Sequence, residues 1–310
     1  MEVVHGYRDL PRPLVRAAIA IGNFDGVHVG HAALIAAARA ATDGDVGVLT
    51  FEPHPAQVLA PHAAPARLTT PARKLELLAA AGVDVVVVAP FTRELAAHTA
   101  TAFVDEILAG ALGARHVVVG ADFCYGRGRA GTVATLTADG ARAGFATIVV
   151  PPVMVGDRPA SSTRARAALT AGDLDGARAL LGHGYDVDGV VVRGAGRGKG
   201  LGIPTANVAP DGAILASPGI YAVTLARLDR GGAPLPAVAS LGTNPTFVEG
   251  GGLVLEVHVL DFDADLYGER VRVEFVARLR DEARYDSVAA LLAQIDRDIA
   301  DARARLSGSR

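Results

Sequence analysis

This sequence predicts two domains of different fold class. The first is an α/β domain with a doubly wound, Rossmann-like parallel sheet, and the second is an antiparallel β-barrel domain with a C-terminal helix. A length of 310 residues exceeds what one hydrophobic core usually covers. Before residue 182 apolar runs alternate with segments of helical length, and after it the apolar runs follow one another closely. We place the boundary at the turn-rich stretch around Gly182, which gives domains of residues 1–182 and 183–310.

The first domain contains short apolar or β-branched runs, separated by Ala-rich and Leu-rich segments long enough to form helices. Continuously apolar strands that alternate with helices are typical of a parallel sheet covered on both faces. The predicted strands are residues 14–21, 45–51, 84–90, 115–120 and 145–153.

The second domain has strand candidates separated by stretches rich in Gly, Pro and Asp, which predicts an antiparallel barrel. These strands are residues 187–194, 219–228, 235–242, 253–263 and 269–280. Residues 287–306 then predict a helix whose apolar stripe packs against the barrel. The stripe consists of Val288, Leu291, Leu292, Ile295, Ile299, Ala302 and Leu306.

Composition excludes several classes of protein. The formal net charge of -3 gives no support for a nucleic-acid partner, which usually requires a basic excess. Cys124 is the single cysteine, so neither an internal disulfide nor a Cys-rich zinc site is available. Apolar runs of membrane-spanning length are lacking, and the N-terminus has no leader pattern. We therefore expect a cytoplasmic protein without a membrane partner.

The first candidate site follows the first predicted strand, where Gly22-Asn23-Phe24-Asp25-Gly26-Val27-His28-Val29-Gly30-His31 leads into an Ala-rich helix. Ligands of open α/β sheets bind beyond the carboxyl ends of strands, and a helix N-terminus offers free N–H groups to phosphate. His28 and His31 are three residues apart and can donate hydrogen bonds from one face to a phosphate. Ordinary turn histidines are the alternative, and so is a metal site, although nearby ligands beyond Asp25 are lacking.

A second phosphate-binding candidate in this domain is Ser161-Ser162-Thr163-Arg164-Ala165-Arg166. Ser162 or Thr163 can cap the helix that follows, leaving N–H groups and guanidinium groups for a triphosphate. An ordinary helix N-cap explains the same serines and threonine without a ligand.

The second domain has its own candidate site, which begins at a Gly-rich basic loop. Gly196, Arg197 and Lys199 of that loop could contact phosphates, but the spacing does not match a Walker motif, and a surface hairpin is an alternative. Thr205 and Asn207 follow two residues apart and offer hard oxygen ligands of the kind that Mg²⁺ accepts. Glu256 lies in an alternating apolar strand, where an inward carboxylate would be costly unless used or paired; it could equally point outward.

Several of these motifs together resemble the HxGH nucleotidyltransferase superfamily and, more narrowly, the bacterial bifunctional riboflavin kinase/FMN adenylyltransferase family. The matching segments, in chain order, are residues 22–31, 51–55, 120–126, 161–166, 197–208, 219–221, 242–247 and 255–268. Lys199 stands where many members of the family carry Arg. The resemblance extends from about residue 18 to 300.

The resemblance implies a nucleotidyltransferase domain that makes FAD from FMN and a barrel that makes FMN from riboflavin, each with ATP. It implies that His28, His31, Ser162, Thr163 and Arg164 hold ATP, with Gly22, Asn23, Asp25 and Gly30 in the same phosphate-binding segment. Asp122 and Phe123 would contact the flavin, although Asp122 could instead seat the adenine. Glu256 would be the general base, and Thr205 and Asn207 would hold Mg²⁺.

The implied substrates and products are ATP, riboflavin, FMN and FAD, with no tightly bound organic cofactor, and the chain is compatible with a homo-oligomer. The first motif alone would also fit a pantetheine-phosphate or nicotinamide-mononucleotide adenylyltransferase, but the attached barrel argues against both. A flavin-binding module without catalysis is the alternative from another class of protein. It would require the loss of site residues that this sequence retains.

Overall fold

The structure is a computed structural model that describes residues 1–308 except Asp9, 195–201 and 244–252. The chain divides into two compact units, Met1–Ser162 and Thr163–Arg310. Within the described part of the chain, no helix is both long enough and apolar enough to cross a bilayer.

The first unit is built on a six-stranded sheet with the order β1-β4-β3-β2-β5-β8, in which every pair is parallel. Its strands, including four short ones outside this sheet, are β1 (Glu2–His5), β2 (Ala18–Ile21), β3 (Val46–Glu52), β4 (Val85–Pro90), β5 (His116–Gly120), β6 (Cys124–Tyr125), β7 (Gly131–Thr132), β8 (Ala146–Val150), β9 (Met154–Val155) and β10 (Arg158–Pro159). The predicted doubly wound sheet is confirmed. The edge strand β1 was not predicted, because four residues with only two apolar side chains give too short a signal.

Helices cover both faces of this sheet. They are α1 (Val29–Ala41), α2 (Pro55–Leu59), α3 (Pro71–Ala80), α4 (Arg93–Ala96), α5 (Ala100–Ala102) with a π-helical continuation (Phe103–Ala111), and α6 (Val133–Ala143), besides short 3₁₀ turns at Pro61–Ala63 and Arg127–Arg129. On one face Ile107 and Leu136 pack against the sheet, and on the other Leu34, Ile35 and Leu78 do so. All of β2 is buried, which explains why it is apolar throughout.

The strand order reverses direction at β2. From β2 the chain moves to β3 and then β4 on one side, and it later continues with β5 and β8 on the other side. The crevice beyond the carboxyl ends of β2 and β5 is therefore the topological switch point, where open α/β sheets bind their ligands.

The second unit contains a closed barrel with the order β11-β12-β15-β14-β13-β16, sealed by the antiparallel pairing of β11 with β16. Its strands are β11 (Tyr185–Val192), β12 (Ala206–Pro210), β13 (Gly219–Arg227), β14 (Leu235–Thr243), β15 (Leu253–Val259) and β16 (Arg270–Arg280). The antiparallel barrel is confirmed, and the five predicted strands all form. The additional strand β12 begins at Ala206, one residue into the extended segment of Thr205 and Asn207.

Three helices belong to the second unit: α7 (Ser162–Thr170), α8 (Leu174–Leu181) and α9 (Val288–Ser307). Helix α8 packs against β11 and β16, whereas α9 packs against β13, β14 and β16. The C-terminal helix is thus confirmed, but its buried face differs from the predicted stripe at two positions. Val288 is 57% exposed, and Asp298 is buried against the barrel. The domain boundary at Gly182 stays a prediction.

Candidate active sites

The loop between β2 and α1 ends in a helix cap made of two histidines. His28 is the N-cap of α1, and its Nδ1 accepts hydrogen bonds from the backbone N–H groups of Gly30 at 3.1 Å and His31 at 3.4 Å. In return, Nδ1 of His31 accepts the backbone N–H of His28 at 3.2 Å. Because each Nδ1 acts as an acceptor, each neutral ring carries its proton on Nε2. The cap therefore fixes both histidines as Nε2 donors.

The two imidazole rings stack on each other with centroids 3.7 Å apart, and Phe24 packs against His31 at 4.8 Å. Burial, followed by the nearby His28 and Lys74, holds the pKa of His31 well below its ordinary value. His31 is therefore neutral around pH 7, in the form that this cap requires.

The loop between β2 and α1 is also held in place by the carboxylate of Asp25. Asp25 is 5% exposed, and its carboxylate accepts the backbone N–H groups of Leu68 at 3.0 Å and Thr69 at 3.2 Å. Ser162 Oγ donates to the Asp25 carbonyl at 2.9 Å. Asp25 and Ser162, which were predicted to contact ATP, thus both make contacts that shape the loop. Helix α7 begins at Ser162.

A buried polar cluster that was not predicted from the sequence supports the loop at Asn23. The carbonyl of Asn23 accepts a hydrogen bond from Thr50 Oγ1 at 3.1 Å and one from Lys74 Nζ at 3.4 Å. Lys74 is only 3% exposed and pairs with the Glu52 carboxylate at 2.6 Å, and Arg67 pairs with that same carboxylate. A weak signal was available, since Lys74 lies four residues before the buried Leu78 on one helical face.

Charges in this cluster are strongly coupled. Burial raises the pKa of Glu52, but the hydrogen bonds from Arg67 and Lys74 outweigh it, so the pKa of Glu52 lies below its usual range. Burial lowers the pKa of Lys74, and the Glu52 carboxylate opposes that shift. The Glu52 carboxylate therefore favours the ammonium form of Lys74 beside Asn23, in the segment of residues 22–31 that we call the histidine loop.

The predicted flavin-contact residues lie directly after β5, the strand that pairs with β2. Asp122 is exposed, and Phe123 is half-buried and stacks on Tyr125 with ring centroids 5.6 Å apart. Because β2 and β5 are parallel neighbours, this segment and the histidine loop follow the carboxyl ends of adjacent strands. The first unit thus brings both sets of predicted residues to its switch point, except Thr163 and Arg164, which are the next residues of α7 and belong to the second unit.

In the second unit, the barrel places Glu256 opposite Asn207. Strand β15 has buried Leu255 and Val257 on its inner face, so Glu256 between them lies on the outer face. The register pairs Glu256 directly with Asn207 of β12 and with Ser240 of β14, and directly paired residues share a face of the sheet. Two of the predicted functional oxygens therefore lie side by side on the outer surface of the barrel.

Thr205 directly precedes β12 and is half-buried. His258 Nδ1 lies 2.8 Å from the carbonyl oxygen of Pro204, the residue before Thr205. The predicted loop residues Gly196, Arg197 and Lys199 lie outside the described part of the chain.

The oxygen atoms of Thr205, Asn207 and Glu256 suit a hard cation whose other ligands come from the bound nucleotide. Across the residues that the structure describes, no group of three or more His, Cys, Asp or Glu side chains could hold a metal ion. A hydroxyl, an amide oxygen and a carboxylate near one another are oxygen donors, which suit Mg²⁺ bound together with nucleotide phosphates.

Comparison with known proteins finds one family model for each half of the chain. The family model for FAD synthetase matches residues 11–164, and the model for riboflavin kinase matches residues 181–306. The bifunctional riboflavin kinase/FMN adenylyltransferase of Pseudomonas fluorescens is 40% identical over 98% of this chain and 97% of the relative. The Bacillus subtilis enzyme with that name is 32% identical over 96% and 95% of the two chains.

Among solved structures, a Streptococcus pneumoniae protein described as a macrolide-efflux protein superposes with a TM-score of 0.87 and 30% identity. The superposition covers 98% of this chain and 99% of the other.

The two family models define a two-domain, ATP-dependent transferase. Sequence identity over nearly the whole chain makes the family specific: this chain belongs to the bifunctional riboflavin kinase/FMN adenylyltransferase family. It phosphorylates riboflavin to FMN and adenylylates FMN to FAD.

Proposed function

We propose that the two activities use two separate sets of residues, one in each half of the chain. FMN adenylylation would use the histidine loop, with ATP bound at the N-terminus of α1 and the flavin beside Asp122 and Phe123. Riboflavin phosphorylation would use the outer face of the barrel around Glu256.

In the adenylyltransferase, His28 and His31 would donate hydrogen bonds from Nε2 to the ATP phosphates as charge builds on them. The observation that supports this proposal is the double cap, in which both Nδ1 atoms are occupied by backbone N–H groups. Two Nε2 donors then act on the triphosphate without proton transfer. Gly22 and Gly30 would let the phosphates approach, Asn23 and Asp25 would shape the loop, and Ser162, Thr163 and Arg164 would add contacts by the family motif.

In the kinase, Glu256 would accept the proton of the riboflavin hydroxyl that attacks the γ-phosphorus of ATP. Its position opposite Asn207 supports this role, because the base then lies beside the residues proposed to hold the metal. Thr205 and Asn207 would hold Mg²⁺, and Gly196, Arg197 and Lys199 would contact phosphate. When bound, Mg²⁺ neutralises developing phosphate charge.

We also propose that the protein works in the cytoplasm without a nucleic-acid or membrane partner. The single cysteine and the weakly negative net charge support this setting.

Single substitutions test the two-site assignment. His28→Ala should lower FMN adenylylation by about 10²–10³-fold, as expected for a lost transition-state donor, while riboflavin phosphorylation continues. Glu256→Gln should lower phosphorylation by about 10²–10⁴-fold while supplied FMN is still converted to FAD. Both rates are measured by chromatography of the flavins.

A matched variant separates catalysis from helix capping. His28→Asn retains an acceptor in the place of Nδ1 but removes the Nε2 donor, so it should be as inactive as His28→Ala. Full adenylylation by His28→Asn would contradict the donor role, and loss of both activities in any of these variants would contradict the two-site model.

A further inference from the structure

The segment that carries Thr205 lies just before the point where strand pairing begins. The ladder between β12 and β15 starts at Ala206, which pairs with Val257. Pro204 has no N–H group with which to extend that ladder. His258 on β15 makes the next connection, since its Nδ1 lies 2.8 Å from the Pro204 carbonyl oxygen. A carbonyl only accepts, so Nδ1 is the donor, and this side chain attaches the segment to β15 beyond the ladder.

The side chain of Asn207, two residues after Thr205, lies against the backbone of Gly194. A Cβ atom added at Gly194 would lie 2.3 Å from Nδ2 and 2.7 Å from Oδ1 of Asn207. The φ of Gly194 is outside the left-handed region, so alanine would suit the backbone there. What alanine would disturb is the amide at the end of the Asn207 side chain.

We propose that Gly194 and His258 are positioning residues of the kinase site, which set the places of the Asn207 amide and the Thr205 hydroxyl. This inference rests on the proposed role of Thr205 and Asn207 as Mg²⁺ ligands and adds what holds those two residues. Mg²⁺ demands near-ideal octahedral geometry, so small displacements of either oxygen weaken its binding. The register leaves Glu256 in place when either positioning contact is removed, because backbone pairing with β12 and β14 holds it.

Three substitutions test the proposal. His258→Phe keeps a ring but removes the donor, His258→Asn retains an N–H donor in the place of Nδ1, and Gly194→Ala displaces the amide. We expect His258→Phe and Gly194→Ala to raise the Mg²⁺ concentration for half-maximal riboflavin phosphorylation about tenfold, as for residues that orient metal ligands. His258→Asn should recover most of that loss. His5→Phe, on the edge strand β1, is the matched control and should behave as the unchanged protein.

A second readout does not depend on turnover. Calorimetric titration of the full chain with ADP, with and without Mg²⁺, should show that His258→Phe and Gly194→Ala lose affinity only in the presence of Mg²⁺. Equal losses in both titrations would overturn the positioning role, because they would indicate a general disturbance of the nucleotide site. FMN adenylylation by each variant reports that the rest of the chain is intact.

The substitutions Thr205→Val and Asn207→Ala test the proposed Mg²⁺ ligands separately from the positioning role. If they alter the Mg²⁺ dependence while His258→Phe and Gly194→Ala do not, the positioning role is wrong and the ligand assignment stands. If Thr205→Val and Asn207→Ala leave the Mg²⁺ dependence unchanged, the ligand assignment is wrong, and the positioning role fails with it.

Discussion

The protonation state of His31 is the most consequential property of a single residue in the adenylyltransferase half. Its Nδ1 must remain unprotonated to accept the N–H of His28, and burial, His28 and Lys74 together hold its pKa well below the ordinary value. A lowered pKa means that the neutral ring persists as the pH falls below about 6.5, the usual pKa of histidine. Adenylylation should therefore keep its activity into that acidic range.

Lys74→Met removes one of the positive charges that lower the pKa of His31. The pKa of His31 then rises, so the acid limb of kcat/KM for FMN adenylylation should move to higher pH. Arg39→Met is the control, since Arg39 is a half-exposed cation at the other end of α1, where solvent screens its charge. An acid limb that stays in place in Lys74→Met, or moves equally in Arg39→Met, would contradict this account.

Sequence alone predicted residues for the chemistry more readily than the residues that support them. His28 and His31 are neighbours in the chain, so their shared position followed from helix geometry. Lys74 contacts the Asn23 carbonyl and pairs with Glu52 across gaps of dozens of residues. Because lysine is usually exposed, no local pattern marked Lys74 as part of this cluster. The contacts of Gly194 and His258 could not be predicted either, because they depend on strand register.

At the scale of elements, a buried ion pair contributes to the attachment of α9 to the barrel. Asp298 is 3% exposed and accepts hydrogen bonds from Arg280 Nε at 2.9 Å and Nη2 at 2.6 Å, and from Gln294 at 2.9 Å. Asp298→Ala would leave the Arg280 cation partly buried and unpaired, at a cost of about 3 kcal/mol. Val288→Ala on the same helix should cost little, because Val288 is 57% exposed.

Denaturant titration followed separately by the two activities measures this cost. The midpoint for loss of phosphorylation should fall in Asp298→Ala and stay unchanged in Val288→Ala, while the midpoint for adenylylation should change in neither. Equal midpoints in the two variants would mean that the ion pair contributes nothing to holding α9.

Strands and helices with a clear apolar pattern were predictable from the sequence. A short strand and a buried charged residue were not. Strands β2 to β5 are mostly apolar and buried and were predicted from their apolar runs, as were five barrel strands. Strand β12 was missed because it is short and follows a Gly-rich segment. Asp298 was missed in the buried face of α9 because a charged side chain is buried only with a partner, and that partner lies on another element.

At the scale of the whole molecule, the order of the reactions is the reverse of the order along the chain. The riboflavin kinase model matches the C-terminal half, and its product is the substrate of the N-terminal half. If the two sites are separate, as proposed, FMN released by one molecule can be adenylylated by another. Equal amounts of His28→Ala and Glu256→Gln should then convert riboflavin to FAD, although neither variant does so alone.

This mixture should form FAD after a lag, because FMN must first accumulate in solution. The lag should shorten when more Glu256→Gln is added, since that variant supplies the intact adenylyltransferase, and supplied FMN should abolish it. Each variant incubated alone with riboflavin is the control. A mixture that makes FMN but no FAD, while the same mixture converts supplied FMN, would mean that FMN stays bound where it is formed, which would contradict transfer through solution.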